Sequence, residues 1–304
     1  MEPLEPKGEE IAGQDPILSL GWMGILTEIA KLGYDYWQSH INSGDDIGNM
    51  IYNIYNLKPT CFCDDDYSSK ISNVPCNAGI MPVRQGIFKV FFNIGNIGTF
   101  NVNFDREWRV YVNAYPHDAP ARLAHILKLF DDPECRIVQA KIVTDGAEAS
   151  KRSDIIVIYT DSEASARRVA HRVNRDYHGS NRLGREAVYM ASRCTNGIAI
   201  GESPVGRPGD EDEAISFGDL RASVLGLVVK HACQRQRPGG VGFPLFLKAL
   251  SIWLPFFVRV FGLSEQDSSR NGNAAKQPKS KSELKARVLY WEQKLAEGAG
   301  EPRK

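Results

Sequence analysis

The sequence predicts an α+β fold: a mainly antiparallel sheet packed with helices on one face, preceded by an N-terminal helical region and followed by a C-terminal tail. Three strand-like runs carry that expectation: EWRVYVNA (107–114), RIVQAKIVT (136–144) and DIIVIYT (154–160). A helical pattern separates the first two, and a short loop separates the last two. Alternate residues of a strand face opposite ways. The first run therefore sends Trp108, Val110 and Val112 to one face, and Arg109, Tyr111 and Asn113 to the other. The second run sends Val138, Ala140 and Ile142 one way, and Gln139 and Lys141 the other. A face bearing Arg, Lys, Tyr and Asn in the middle of hydrophobic segments suits an anionic group. The plainer reading is an open sheet with one solvated face.

The remaining elements follow in order. Residues 1–16, acidic and rich in Pro and Gly, read as a disordered lead and lack the basic-then-apolar pattern of a signal peptide. The N-terminal helical region spans 17–84, with apolar residues at helical spacing over 17–37 and again over 47–55. Within it, 57–82 is rich in Cys, Asp, Ser, Asn and Pro and reads as loop. GIFKVFF (86–92) and TFNVNF (99–104) form an expected hairpin that continues into 107–114 as a three-strand meander.

After the first core strand, Asp118 is placed to cap a helix, with Pro120 in its first turn. Ala119, Leu123, Ile126, Leu127 and Phe130 form its apolar stripe. DGAEASKRS (145–153) is read as loop. A second helix, capped by Asp161 or Ser162, points Ala166, Val169, Ala170, Val173 and Tyr177 inward. Its Arg167, Arg168, Arg172 and Arg175 read as a solvated face rather than a nucleic-acid surface. A short strand (196–204) precedes the helical run SFGDLRASVLGLVVKHA, in which Leu220, Val224, Leu227 and Val228 face a core.

Residues 241–263 are the most hydrophobic stretch. They approach the ~20 apolar residues of a membrane span, but they contain Lys248, Arg259, Pro244 and Pro255, so burial within the protein is the expectation. The central domain is accordingly 85–263, with a linker over 264–282 and a terminal amphipathic helix over 283–304.

Composition limits function. The chain has 304 residues, with Lys plus Arg equal to Asp plus Glu at 37 each, so net charge offers no attraction for nucleic acid or a membrane surface. Any basic site must be local. The six cysteines are scattered, and only Cys61, Cys63 and Cys76 are near one another. Their C-x-C spacing with no nearby His does not make a zinc site, and no metal or cofactor is expected. Reduced thiols and a cytoplasmic location are the expectation.

The ordered series WRVYVNAYPHDAPARL, VQAKIV, SDIIVIYTD, GIAIGESP and SFGDLRASVL resembles the HopA-type effector family of bacterial type III secretion. That domain also occurs in pathways making class V lanthipeptides and thioamide-containing peptides. The resemblance covers about residues 85–230. It implies an α+β fold and, from the biosynthetic branch, a lyase acting beside a kinase-like partner that phosphorylates Ser or Thr of a precursor peptide. The lyase eliminates phosphate and leaves a dehydroamino acid.

Set against this chemistry, Lys141 is the candidate base, provided burial or nearby cations lower its pKa. Arg109, Arg152 and Arg221 are candidate phosphate ligands, since a guanidinium matches a dianion in bidentate fashion. Tyr111 or His117 orients substrate or protonates the leaving oxygen, and Asn113, Asp154 and Tyr159 support the others. Each has a plainer role. Lys141 as a solvated strand residue, Arg152 paired with Asp154, Arg221 as a helix-to-sheet link, Tyr111 and Tyr159 as packing residues and His117 as part of a helix start all fit the sequence too. The alternative function is a noncatalytic effector-like binding module that uses the same basic face on a phosphorylated or acidic partner. A membrane-associated regulator using 241–263 is a third. The first 80 residues and the chain after the SFGDLR helix depart from the family pattern.

Overall fold

The computed structural model describes residues 22–56, 63–95, 107–175, 191–195, 197–204, 215–234 and 243–297. Three helices open the described chain: α1 (Trp22–Lys31), α2 (Tyr34–Asn42) and α3 (Ile47–Asn56). A short α4 (Tyr67–Ser72) leads to the hairpin of β1 (Ile80–Gln85) and β2 (Phe88–Asn93). Its two-residue turn puts Gly86 at φ 56°, a conformation that glycine reaches without Cβ strain and that suits the twist of a hairpin. Then come β3 (Trp108–Val112), α5 (Ala119–Lys128), β4 (Ile137–Val143), the single turn α6 (Gly146–Ala149), β5 (Ile156–Thr160) and α7 (Glu163–Arg175). The chain continues with β6 (Ser192–Thr195), β7 (Ile198–Glu202), α8 (Phe217–Gln234), α9 (Phe243–Val260) and α10 (Lys281–Ala296).

The seven strands make one antiparallel sheet in the order β1-β2-β4-β5-β3-β7-β6, and the α+β expectation holds. The three core strands are neighbours, with β5 between β4 and β3. The meander does not form, because β2 pairs with β4 and its hairpin partner is β1. Residues 80–85, of which 80–82 read as loop within the N-terminal region, are therefore an edge strand. The expected strand 99–104 and Tyr177 lie outside the described residues. In β4 a register shift between Ile137 and Gln139 acts as a bulge, which offsets the alternation. Ile137 rather than Val138 is consequently buried beside Ala140 and Ile142.

Helices cover both faces. On one, Trp108, Val110, Val112, Ile142, Ile156 and Ile158 pack in a core with Leu123 and Ile126 of α5 and Ala166, Val169 and Val173 of α7. On the other, Tyr111, Val157, Tyr159 and Ala199 join a second core with Phe217, Leu220 and Val224 of α8, backed by α1, α3 and α9. The polar face of β3 is thus neither an open solvated surface nor an empty cleft, because a central strand flanked by β5 and β7 is roofed by α8.

Gly201 permits that roof. A Cβ built there would lie 2.4 Å from Cε2 of Phe217, so the ring rests on bare backbone. Gly201→Ala is expected to lower unfolding free energy by about 1–3 kcal/mol through overpacking, read from the midpoint of urea unfolding at unchanged slope.

Outside the sheet, Asp118 precedes α5 without a side-chain capping hydrogen bond. Ser162 Oγ accepts from the Ser165 N–H at 3.2 Å at the start of α7. Residues 145–153, read as loop, contain α6, whose first turn Asp145 caps. The arginines of α7 make surface ion pairs, such as Arg167 with Glu163 at 2.8 Å and Arg172 with Asp132 at 3.1 Å.

The hydrophobic stretch is α9, with Phe246, Leu250, Trp253, Leu254, Phe257 and Val258 buried at helical spacing and Leu245 and Ile252 exposed. Among the described residues no helix is long and apolar enough to cross a membrane. Residues 264–282, read from composition as a linker, pack closely. Glu202 N–H donates to Ser269 O, Asn271 Nδ2 donates to Ser203 O at 2.7 Å, and Ser268, Ser269 and Gln277 are buried. Beyond them α10 docks back, through Leu284, Val288 and Trp291 against the second core and a Lys230–Glu292 ion pair at 2.6 Å.

Candidate functional site

Register places the polar residues of the roofed face in two rows. Gln139, Tyr159, Arg109 and Gly201 lie side by side across β4, β5, β3 and β7, and Lys141, Val157, Tyr111 and Ala199 form the adjacent row. With strands about 4.8 Å apart, Lys141 and Arg109 come within side-chain reach of one ring. Arg109 Cζ lies 5.0 Å and Lys141 Nζ 5.7 Å from the centroid of Tyr159, and Lys141 Nζ is also 4.6 Å from that of Phe88. Among the described residues no carboxylate pairs with the Lys141 ammonium at ion-pair distance.

Arg109 is anchored from both sides. Its Nε donates to Ser203 Oγ at 2.8 Å, and the Tyr111 hydroxyl is a second hydrogen-bond partner. Burial opposes its charge, but Tyr159, Tyr111 and Glu107 outweigh burial and raise its pKa. Burial raises the pKa of Tyr111, by contrast, against the pull of Arg109, so the phenol keeps its proton.

From above, α8 contributes Arg221, which is fully buried. Its Nε donates to Ser268 O at 2.5 Å, Nη1 donates to Phe217 O at 3.4 Å, and Cζ sits 3.7 Å from the Phe217 ring centroid. Among the described residues Nη2 is buried with no hydrogen-bond partner. Burial pulls the Arg221 pKa down to about 9, although Tyr111, Glu202 and Asp267 pull it upward. An unmatched buried donor on a cation costs free energy, which an incoming anion would relieve. Phe217, 5.5 Å from the Tyr111 ring, separates this guanidinium from the β7 backbone.

The structure brings Lys141, Arg109, Tyr111, Tyr159 and Arg221 together. Arg152 stands at the margin, committed to Asp154 through two hydrogen bonds of 2.8 and 3.0 Å, with Tyr52 Oη at 3.4 Å and Phe88 beneath it. The plainer reading of that pair is the geometry found. Asp154 still contributes to the potential at Tyr111. Asn113 is buried past the end of β3, with its N–H donating to Gly197 O at 2.8 Å.

His117 is not brought to the cluster. It lies in the turn into α5, on the opposite side of the sheet, stacked 5.8 Å from Tyr115 and 3.7 Å from Asp118. The physical reason is chain direction, because β3 ends at Val112 and the turn crosses to the face that α5 covers.

Sequence reasoning missed Glu107, Ser203, Phe217 and Tyr52. Ser203 and Phe217 sit inside the motifs GESP and SFGDLR, and Glu107 abuts the first core strand; Tyr52 carried no signal. Two surface cavities lie apart from the cluster. One of about 200 Å³ is among α1, α2 and α3, and one of about 370 Å³ lies beside the β1–β2 turn. Among the described residues no group of three or more His, Cys, Asp and Glu gathers as for a metal, and Cys61 lies outside them.

Two solved structures superimpose over most of the chain. The effector protein from Pseudomonas syringae pv. syringae strain 61 matches with a TM-score of 0.56 and 13% identity, over 81% of this chain and 98% of that one. The effector protein from Pseudomonas syringae pv. tomato strain DC3000 matches with a TM-score of 0.54 and 14% identity, over 82% and 99%. The chain has the fold of these effector proteins. The similarity extends over nearly the full length of each effector and, at this identity, speaks for the fold alone. The type III effector and phosphothreonine lyase OspF from Shigella flexneri aligns over 50% of this chain and 87% of its own, with a TM-score of 0.33 and 14% identity, a likeness too weak to carry an argument. No family model matches the chain, and no curated protein matches it.

Proposed function

We propose that this effector-fold protein is a HopA-like phosphoserine/phosphothreonine lyase that eliminates phosphate from a peptide and leaves a dehydroamino acid. The observation that carries the reading is the fully buried Arg221, with Nη2 unpartnered, in a cluster with Arg109, Tyr111 and Lys141. A phosphate carrying close to two negative charges supplies the partner that such a cation lacks.

In the reaction Lys141, acting as the base, takes the proton from the substrate Cα. The electron pair left behind forms the Cα–Cβ double bond as the Cβ–O bond breaks, and phosphate departs with that bond's electrons. Arg221 and Arg109 hold the phosphate oxygens, and Tyr111, kept protonated by burial, donates to the leaving oxygen. With Arg152 tied to Asp154, that pair frames the site beside Phe88. The partner is a phosphorylated peptide or protein, and a kinase-like protein that makes it follows from the resemblance to the biosynthetic branch.

The Arg152–Asp154 pair and the Ser268 carbonyl seated on Arg221 favour a second reading, a noncatalytic module that binds a phosphorylated partner by the same basic face. Incubation with a phosphothreonine peptide, followed by mass spectrometry, separates them. The lyase yields a peptide lighter by one phosphoric acid. A binding module retains the peptide at unchanged mass, and that outcome would remove the enzyme reading.

A further inference from the structure

We propose that Glu107 and Ser203 are positioning residues that set the Arg109 guanidinium for the phosphate, an inference that rests on the lyase reading of the same cluster. Three groups from two segments form a relay, Glu107 and Arg109 from the start of β3 and Ser203 from the end of β7. The Ser203 hydroxyl donates to Glu107 Oε2 at 3.2 Å, and Ser203 Oγ itself accepts from Arg109 Nε at 2.8 Å. A hydroxyl has one proton and two lone pairs. Once Glu107 takes the proton, a lone pair is left for Nε, so the carboxylate fixes the direction of the hydroxyl and the hydroxyl fixes the plane of the guanidinium.

Backbone locks the relay in place. Ser203 N–H donates to Glu107 O at 2.8 Å, and Asn271 Nδ2 donates to Ser203 O. Ser203 is only 3% exposed. Glu107 makes no ion pair at contact distance among the described residues, and burial raises its pKa against the attraction of Arg109, the Ser203 hydrogen bond and Lys141. With Nε engaged by Ser203 and the Tyr111 hydroxyl as a second partner, the remaining Nη N–H groups are the donors available for bidentate contact. The role is to orient Arg109 rather than to neutralise it.

Inorganic phosphate, titrated into the full-length protein by calorimetry with thermal unfolding in parallel, tests this. Ser203→Ala and Glu107→Ala are expected to weaken phosphate binding about five- to tenfold, the worth of one ordinary net hydrogen bond, since Arg109 keeps its charge. Glu107→Gln keeps an accepting oxygen for Ser203 and is expected to stay within about twofold of wild type or to bind more tightly. A requirement for bulk alone would treat Gln and Glu alike but could not account for the loss in Ser203→Ala. If Ser203→Ala lowers the unfolding temperature, Ser203→Cys, similar in size with a weak donor and acceptor, carries the same expectation. Wild-type affinity in Ser203→Ala, Ser203→Cys and Glu107→Ala overturns the relay while leaving the phosphate site standing. Failure of the wild-type protein to bind phosphate removes both.

Discussion

Replacing Arg221 by Met is expected to leave the protein as stable as wild type, or more so, while weakening phosphate binding about ten- to a hundredfold. The two effects have opposite signs because Arg221 is a cost to the fold and an asset to the site. Its guanidinium is fully buried, donates to backbone carbonyls through Nε and Nη1, and leaves Nη2 unmatched among the described residues. Burial drags its pKa down to about 9, the mark of a charge held against its solvation preference. Exchanging a buried charge for an apolar side chain of similar length is often neutral or stabilising by about 1–4 kcal/mol. A hydrogen bond from a cation to an anion contributes about 1.5–3 kcal/mol, hence the loss in binding. Chemical denaturation and phosphate calorimetry on one preparation read both quantities. A stability loss with unchanged phosphate affinity would make Arg221 a plain helix-to-sheet link.

Lys141→Ala is expected to slow phosphate elimination by about a hundred- to ten-thousandfold, the usual contribution of a positioned general base. Phosphate binding should change far less, since Arg109 and Arg221 remain. Lys141→Arg should not rescue the rate, because a guanidinium does not give up its proton in a protein. Lys141 is half-buried against Phe88 and Tyr159, so its loss removes cation–π contacts of about 0.5–1 kcal/mol without opening the core. Single-turnover rates on a phosphothreonine peptide, beside unfolding curves, check this. An undiminished rate in Lys141→Ala would assign the base elsewhere.

Much of the fold was legible because period and burial agree. In β3, Trp108, Val110 and Val112 enter one core while Arg109 and Tyr111 face the other way, as strand alternation requires. In α7, Val169 and Val173 lie inward at helical spacing and the arginines outward. What was hidden depends on long-range pairing. Nothing local in GIFKVFF says that it pairs with Ile80–Gln85 on one side and β4 on the other, or that β5 will separate β4 from β3.

Nor does polar composition reveal that Ser268 and Ser269 will be buried by bonding to Arg221 and Glu202. The same limit applies to the site. Lys141, Arg109, Tyr111 and Tyr159 could be read from alternation along strands, because register converts spacing into proximity. His117 could not, because a turn carried it across the sheet. Ser203 and Glu107 were invisible as a pair until the β3–β7 register set one beside the other.

The central claim is that this basic cluster breaks a carbon–oxygen bond by elimination. It is tested most directly by following a phosphothreonine peptide in water enriched in heavy oxygen and weighing both products. The account predicts released phosphate with no heavy oxygen and a peptide carrying a dehydroamino acid. Heavy oxygen in the phosphate with an intact threonine, or no phosphate released at all, would contradict it.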